Sequence, residues 1–248
     1  MTSPVNSWEH SPVSPTITTD NVHVWKASLD CDPSDLDCLR RTLTQDENAR
    51  ADRFRFEKHR NRFIAGRGVL RAILSKYLEP QPHQLRFQYT PYGKPTLSPE
   101  VGALSFNLSH SRDIALYAVT QEREIGVDVE FIRKEINLLG IAKRFFSKRE
   151  YVQLQALPRS RQLQSFFDCW TRKEAFIKAR GDGFFLPLHQ FDVSITPGEP
   201  AALLRTEWNP DEAALWSLKS LNPGPGYAAA LAVEGKHWHL RHWDFELA

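Results

Sequence analysis

Ile125-Gly126-Val127-Asp128-Val129-Glu130-Phe131 is the stretch on which the fold turns. On a strand successive side chains alternate, so Ile125, Val127 and Val129 share an apolar face while Gly126, Asp128 and Glu130 share the other. Two carboxylates on one face repel unless a cation lies between them, and hard oxygens of this kind suit Mg²⁺. Taken alone, the stretch reads equally well as a solvated strand face. It also punctuates the chain. After it come helices over 136–146, 148–157 and 163–180, then strands near 191–195, 215–221, 227–233 and 238–244. Before it the same order is already complete once: a strand over 21–29, helices over 36–43, through Arg50 and Arg53, and over 61–78, then strands over 85–89, 106–108 and 114–119. The fold class is therefore α+β in two halves, residues 21–122 and 123–248, behind a Ser/Thr/Pro-rich segment, 1–20. That segment reads as a disordered tail with Trp8 as its anchor. No repeat recurs at a fixed period, so the duplication is one of layout.

The second informative stretch is Ser165 to Gly183, SFFDCWTRKEAFIKARGDG. Phe166, Phe167, Trp170, Phe176 and Ile177 give a helix with a heavy aromatic face, and Gly181 fits its stop. Trp170, Glu174 and Lys178 lie at i, i+4 and i+8 and so share a face. Glu174 and Lys178 could be a surface ion pair worth a few tenths of a kcal/mol. The large Trp beside them favours partial burial instead.

Composition narrows the classes. The chain has 248 residues, 41% hydrophobic and 25% charged, with a formal charge of +2. That suits a globular protein and lacks the basic excess of a nucleic-acid binder. The Arg and Lys residues crowd into 50–71 and 133–149, which fits a small polyanion or the rim of an acidic partner. Cys31, Cys38 and Cys169 are odd in number and lack metal-ligand spacing, pointing to a reducing cytoplasm. No leader or membrane-spanning run is evident. His237 and His239 would share a strand face without His242, and Trp238, Leu240 and Trp243 explain that segment better as an edge strand than as a metal site.

Together the two stretches resemble the signature of the 4′-phosphopantetheinyl transferases: Gly126-Val127-Asp128-Val129-Glu130, then Trp170-Thr171-Arg172-Lys173-Glu174-Ala175-Phe176-Ile177-Lys178. Between them Arg144-Phe145-Phe146-Ser147-Lys148-Arg149-Glu150 is similar to the family as well. So are Tyr92-Gly93-Lys94-Pro95 and Phe106-Asn107-Leu108-Ser109-His110-Ser111 upstream. The likeness covers roughly residues 45 to 195. Length and the presence of both halves resemble the larger, pseudodimeric class, the surfactin-synthetase-activating type, in which two similar α+β halves hold the active site in the cleft between them.

The resemblance implies a set of expectations. The enzyme would move the phosphopantetheine arm of coenzyme A onto a serine of an apo acyl or peptidyl carrier protein, releasing 3′,5′-ADP. Asp128, Glu130 and Glu174 would hold Mg²⁺, with Mn²⁺ as an alternative, and Glu174 would also be the base. Lys178 would neutralise the pyrophosphate. Phosphoryl transfer needs positioning and charge neutralisation more than covalent catalysis, so this division of labour is chemically sound. Arg50, Arg62, Lys94, Ser109 and His110, in the N-terminal half, would take the 3′-phosphate and adenine end, while Arg62 and Arg67 read equally as exposed helix residues. Glu47 stands where some members carry a basic residue. Arg133, Lys134, Lys143, Arg144, Lys148 and Arg149, with Phe145 and Phe146, could form the surface for an acidic carrier domain. Alternatively both Phe residues are core. A monomer without nucleic-acid or membrane partners is expected. A nuclease using the same carboxylates would need a basic surface, which +2 does not supply. A catalytically silent carrier-binding module would not need Asp128, Glu130, Glu174 and Lys178 together.

Overall fold

A computed structural model describes residues 8–98, 104–181 and 186–247. The N-terminal half runs β1 (Glu9–His10), β2 (Asn21–Ser28), α1 (Pro33–Arg41), α2 (Gln45–Asp52), α3 (Glu57–Ser75), β3 (Phe87–Tyr89), β4 (Pro95–Leu97), β5 (Leu104–Ser111) and β6 (Ile114–Gln121). The rest runs β7 (Ile125–Phe131), α4 (Leu138–Phe145), α5 (Lys148–Ala156), α6 (Arg159–Arg180), β8 (Phe191–Val193), β9 (Leu203–Thr206), α7 (Glu212–Leu215), β10 (Trp216–Leu221), β11 (Tyr227–Glu234) and β12 (His239–Asp244).

The repeated layout is a repeated topology. In the first half the opening strand β2 pairs antiparallel with the last strand β6, which pairs with the penultimate strand β5. In the second half β7 pairs in the same way with β11, and β11 with β10. One long helix covers each sheet. Ala65, Val69, Leu70 and Ile73 of α3 are buried with Trp25, Phe106 and Tyr117. Phe176 and Ala179 of α6 are buried with Ala228, Ala230 and Ala232 of β11, whose small side chains let the helix lie close. The opposite faces of the two sheets share a third cluster, in which Val22, Val24, Leu116 and Ala118 meet Ile125, Val127, Val129 and Leu231. The apolar face of the 125–131 strand is thus the core between the halves.

Three expectations change. The last strand does not stay with residues 123–248: β12 lies parallel to β2 in the N-terminal sheet, with Trp243 opposite Trp25. Burial of both indoles drives that crossing. Within the 1–20 segment, residues 1–7 lie outside the described residues, but β1 pairs parallel with β12 and Trp8 is half-buried, its Nε1 donating to Asn222 O at 2.6 Å. Ser109-His110-Ser111, expected to lie between strands over 106–108 and 114–119, continues β5 itself. The turn is at Arg112 and Asp113, with Arg112 at φ 54°. Strands β4 and β9 and helix α7 had no counterpart in the sequence reading. Among the described residues, no helix is long and apolar enough to cross a membrane.

Candidate active site

Strand β7 and helix α6 bring the carboxylates together. Gly126 makes this possible, because a Cβ there would stand 2.1 Å from Ala175 O and 2.3 Å from Ala179 N. Backbone against backbone at that spacing sets Asp128 and Glu130 beside Glu174 and Lys178, one and two helical turns along from Trp170. The helix ends where the sequence says, at Gly181 in the left-handed region with φ 76°.

Asp128 is buried, and its Oδ1 accepts from Ser109 Oγ at 2.8 Å and from Lys178 Nζ at 2.6 Å. Its Oδ2 is buried without a hydrogen-bond partner, as is Oε1 of Glu174. Glu130 accepts from Ser111 Oγ at 3.0 Å. Burial, then the neighbouring charges of Asp128 and Glu130, push the Glu174 carboxyl up to about 7 against the pull of Lys178. Burial and Asp128 also raise Glu130. Carboxylates that crowd one another and keep buried oxygens unpaired are a set a divalent cation would complete. Among the described residues no three such side chains already stand close enough to hold an ion, but the all-oxygen donor set is of the kind Mg²⁺ or Mn²⁺ takes.

Strand β5 contributes the other wall. It runs beside β7 in the same direction, and its side chains replace a main-chain ladder. Val127 N donates to Asn107 Oδ1 at 2.9 Å, Val129 N to Ser109 Oγ at 3.4 Å and Phe131 N to Ser111 Oγ at 3.0 Å. Lys178 Nζ also donates to Ser109 Oγ at 2.9 Å. His110, exposed on the rim, is held below the usual imidazole range by the desolvating walls and by the Lys178 and Arg62 cations.

A cavity lined by Tyr92, Gly93, Lys94, Pro95, Asn107, Leu108, Glu174, Ile177, Lys178 and Gly181 opens on one side of this centre. Lys94 reaches across it, its Nζ 3.2 Å from Glu124 Oε2 and 3.2 Å from Ala179 O. A second cavity, lined by Glu130, Arg133, Ile136, Ile141, Phe166 and Trp170 among others, borders the site at Glu130.

The structure therefore gathers Asp128, Glu130, Glu174, Lys178, Ser109, His110 and Lys94. It does not gather Arg50, whose guanidinium stands over Phe63 at 5.2 Å and outside the cavity lining. Arg62 holds Asp30 in a bidentate pair at 2.7 and 2.8 Å, within electrostatic reach of His110. Arg67 is not an exposed helix residue: with the buried Arg71 it grips the buried Glu47. Phe146 is core, stacked on Phe166, whereas Phe145 is half-buried against Trp170 with Lys143, Arg144, Lys148 and Arg149 exposed around it. Sequence reasoning placed Ser111 and Asn107 in a family-like segment but gave neither a role. It also gave none to Lys173, fully buried 2.8 Å from the equally buried Glu150 of α5. The alternation of Ser105, Asn107, Ser109 and Ser111 with Leu104, Phe106 and Leu108 was the available signal for the first two.

Comparison with known proteins agrees with this architecture. Residues 124–232 match the model of the 4′-phosphopantetheinyl transferase superfamily, and residues 25–122 match the N-terminal model of 4′-phosphopantetheinyl transferase. The chain is 43% identical to the 4′-phosphopantetheinyl transferase HetI of Nostoc sp. strain PCC 7120, over 97% of this chain and 99% of that one. It is 33% identical to the 4′-phosphopantetheinyl transferase Sfp of Bacillus subtilis strain 168, over 78% of this chain and 88% of that one. The chain belongs to the 4′-phosphopantetheinyl transferase family.

Proposed function

We propose that this enzyme transfers the phosphopantetheine of coenzyme A to a serine hydroxyl of an apo acyl or peptidyl carrier protein, with Glu174 as the base. The observation that carries the reading is the pair of buried unpaired oxygens on Asp128 and Glu174, within electrostatic reach of Glu130 and of the Lys178 ammonium. Asp128, Glu130 and Glu174 would hold Mg²⁺ or Mn²⁺, which when bound supplies positive charge against the pyrophosphate. Lys94, Ser109 and His110 receive the 3′-phosphate and adenine end, with Arg62 adding positive charge behind His110. Arg50 stands on the Phe63 ring, outside that set. The serine enters from the side of Glu130 and Trp170, where Arg133 stands at the rim.

In the transfer the serine oxygen bonds to the β-phosphorus, which carries the pantetheine arm. The pyrophosphate P–O bond breaks and 3′,5′-ADP leaves. The serine proton passes to the Glu174 carboxylate. Lys178, already oriented by Asp128 and Ser109, neutralises the charge growing on the departing nucleotide. The exposed Lys143, Arg144, Lys148 and Arg149 suit an acidic carrier domain. The enzyme is read as a cytoplasmic monomer, since both walls of the site come from one chain.

Intact-mass measurement of an apo carrier protein, incubated with enzyme, coenzyme A and Mg²⁺, tests the reading. The carrier gains about 340 Da, one phosphopantetheine, and the gain falls by at least about 100-fold in rate with Glu174→Gln. Undiminished transfer by Glu174→Gln would remove Glu174 as the base. Failure of the wild type on fatty-acid, polyketide and peptide carriers alike would remove the reaction.

A further inference from the structure

Strands β5 and β7 keep one register along their seam, and the register does two things at each serine. The residue twenty positions on donates its main-chain N–H to the β5 side chain, from Val127 to Asn107, Val129 to Ser109 and Phe131 to Ser111. The residue nineteen positions on presents its carboxylate to the same hydroxyl, Asp128 to Ser109 at 2.8 Å and Glu130 to Ser111 at 3.0 Å. A hydroxyl has one proton to donate and two lone pairs. Because the seam N–H occupies a lone pair of Ser111 Oγ, the proton is directed to Glu130 Oε2. Ser109 divides its hydroxyl further, accepting from Lys178 as well. Among the described residues Ser111 receives no such second charge and acts on Glu130 alone.

The end of the seam is clamped so that this geometry persists. Arg112, held at φ 54° in the turn, stands over the Phe131 ring at 3.3 Å. Phe131 meets Tyr227 edge-on with centroids 5.2 Å apart, and Tyr227 donates to Asp113 Oδ1 at 2.7 Å. The two residues after Ser111 and the one after Glu130 are thereby fixed across the two halves.

We infer that Ser111 is a positioning residue for Glu130: its hydroxyl sets the rotamer and the free oxygen that Glu130 offers to a divalent cation, and so tunes cation affinity. This rests on the reading of Asp128, Glu130 and Glu174 as the cation's ligands. Carboxylates that bind metals are held by such outer hydrogen bonds, and losing one weakens binding by about 10-fold or more.

The test measures Mn²⁺ binding by its free-ion electron paramagnetic resonance signal, with enzyme saturated by coenzyme A and no carrier protein, so that no turnover enters. Ser111→Ala weakens Mn²⁺ binding by about 10-fold, and Ser111→Thr, which keeps the hydroxyl, restores it to within about 2-fold. Tyr227→Phe removes a clamp bond at the end of the seam without touching a site carboxylate and leaves Mn²⁺ binding unchanged. Wild-type affinity in Ser111→Ala, or equal weakening in Ser111→Ala and Tyr227→Phe, overturns the inference. In the second case the seam, and not the hydroxyl, would be the cause. Failure of the wild type to take up Mn²⁺ while binding coenzyme A is a different result. It overturns the metal reading itself and this inference with it.

Discussion

His23 shows how much one buried side chain can depend on non-local neighbours. It is 2% exposed on β2, and its Nδ1 lies 2.9 Å from the Tyr77 hydroxyl. That hydroxyl accepts from Trp25 Nε1 at 2.8 Å, so its own proton is directed at His23, which must accept it as a neutral ring. Burial, with Arg241 opposite it on β12, lowers the imidazole from 6.5 to about 4. The folded protein therefore resists a proton that the unfolded chain takes up. The stability this contributes is complete above pH 6.5 and is lost as the pH falls toward about 4. At about pH 5 the loss is about 2 kcal/mol. Urea unfolding at about pH 7.5 and about pH 5 checks this: wild type should lose about 2 kcal/mol more between the two than His23→Gln. Equal losses would mean that His23 is protonated without penalty. At this scale the site was unevenly legible. Asp128, Glu130, Glu174 and Lys178 could be read because strand alternation and helical spacing are local rules. The partners of Arg62 and Arg67 could not, since Asp30 and Glu47 reach them only through tertiary packing.

Between elements, the contact that matters most to the site is β7 against α6, and it depends on a missing side chain. Gly126 faces the main chain of Ala175 and Ala179, atoms that cannot rotate aside. Gly126→Ala must push strand and helix apart, and should cost about 3 kcal/mol. Chemical denaturation reads that directly, and a loss under about 1 kcal/mol would show that the two elements are not so closely seated. The same helix is anchored from its other side. Lys173 Nζ donates to Leu188 O and Phe191 O besides pairing with Glu150, and Glu150 Oε1 accepts from Val193 N at 2.8 Å. Glu150 also closes the cap of α5 through Ser147 N. Two buried charges are thus fully hydrogen-bonded, the condition under which such a pair is tolerated. Its effect is to lock α5 and the approach to β8 onto the residue preceding Glu174. Helices α4, α5 and α6 were readable from their periodicity, and α6 even to its terminal glycine. Strands β4 and β9, three and four residues long, carry too few alternations to be read that way.

At the scale of the molecule, two halves with the same topology are tied by strands that ignore the division between them. No local pattern announces that β12 will join β2, because a parallel partner more than two hundred residues away leaves no trace in either stretch. The tie is extended by β1 on the outer edge of β12, and Trp8 carries it across to the other half. The indole meets His242 edge-on at 5.1 Å, lies under Lys26 Nζ at 5.0 Å, and donates to the carbonyl of Asn222 in the loop after β10. One side chain therefore touches β2, β12 and the second half at once. Removing it should loosen the halves without dividing them, because the cluster of Val22, Val24, Ile125, Val127 and Leu231 remains. Trp8→Ala should lower stability by about 2 kcal/mol, less than for a fully buried Trp, with a single unfolding transition retained. Trp8→Phe, which keeps a ring and loses the hydrogen bond, should lose about 1 kcal/mol. Urea titrations followed by near-ultraviolet circular dichroism distinguish the variants. A silent Trp8→Ala would mean that the N-terminal segment lies on the surface without joining the halves, and that β12 alone makes the tie.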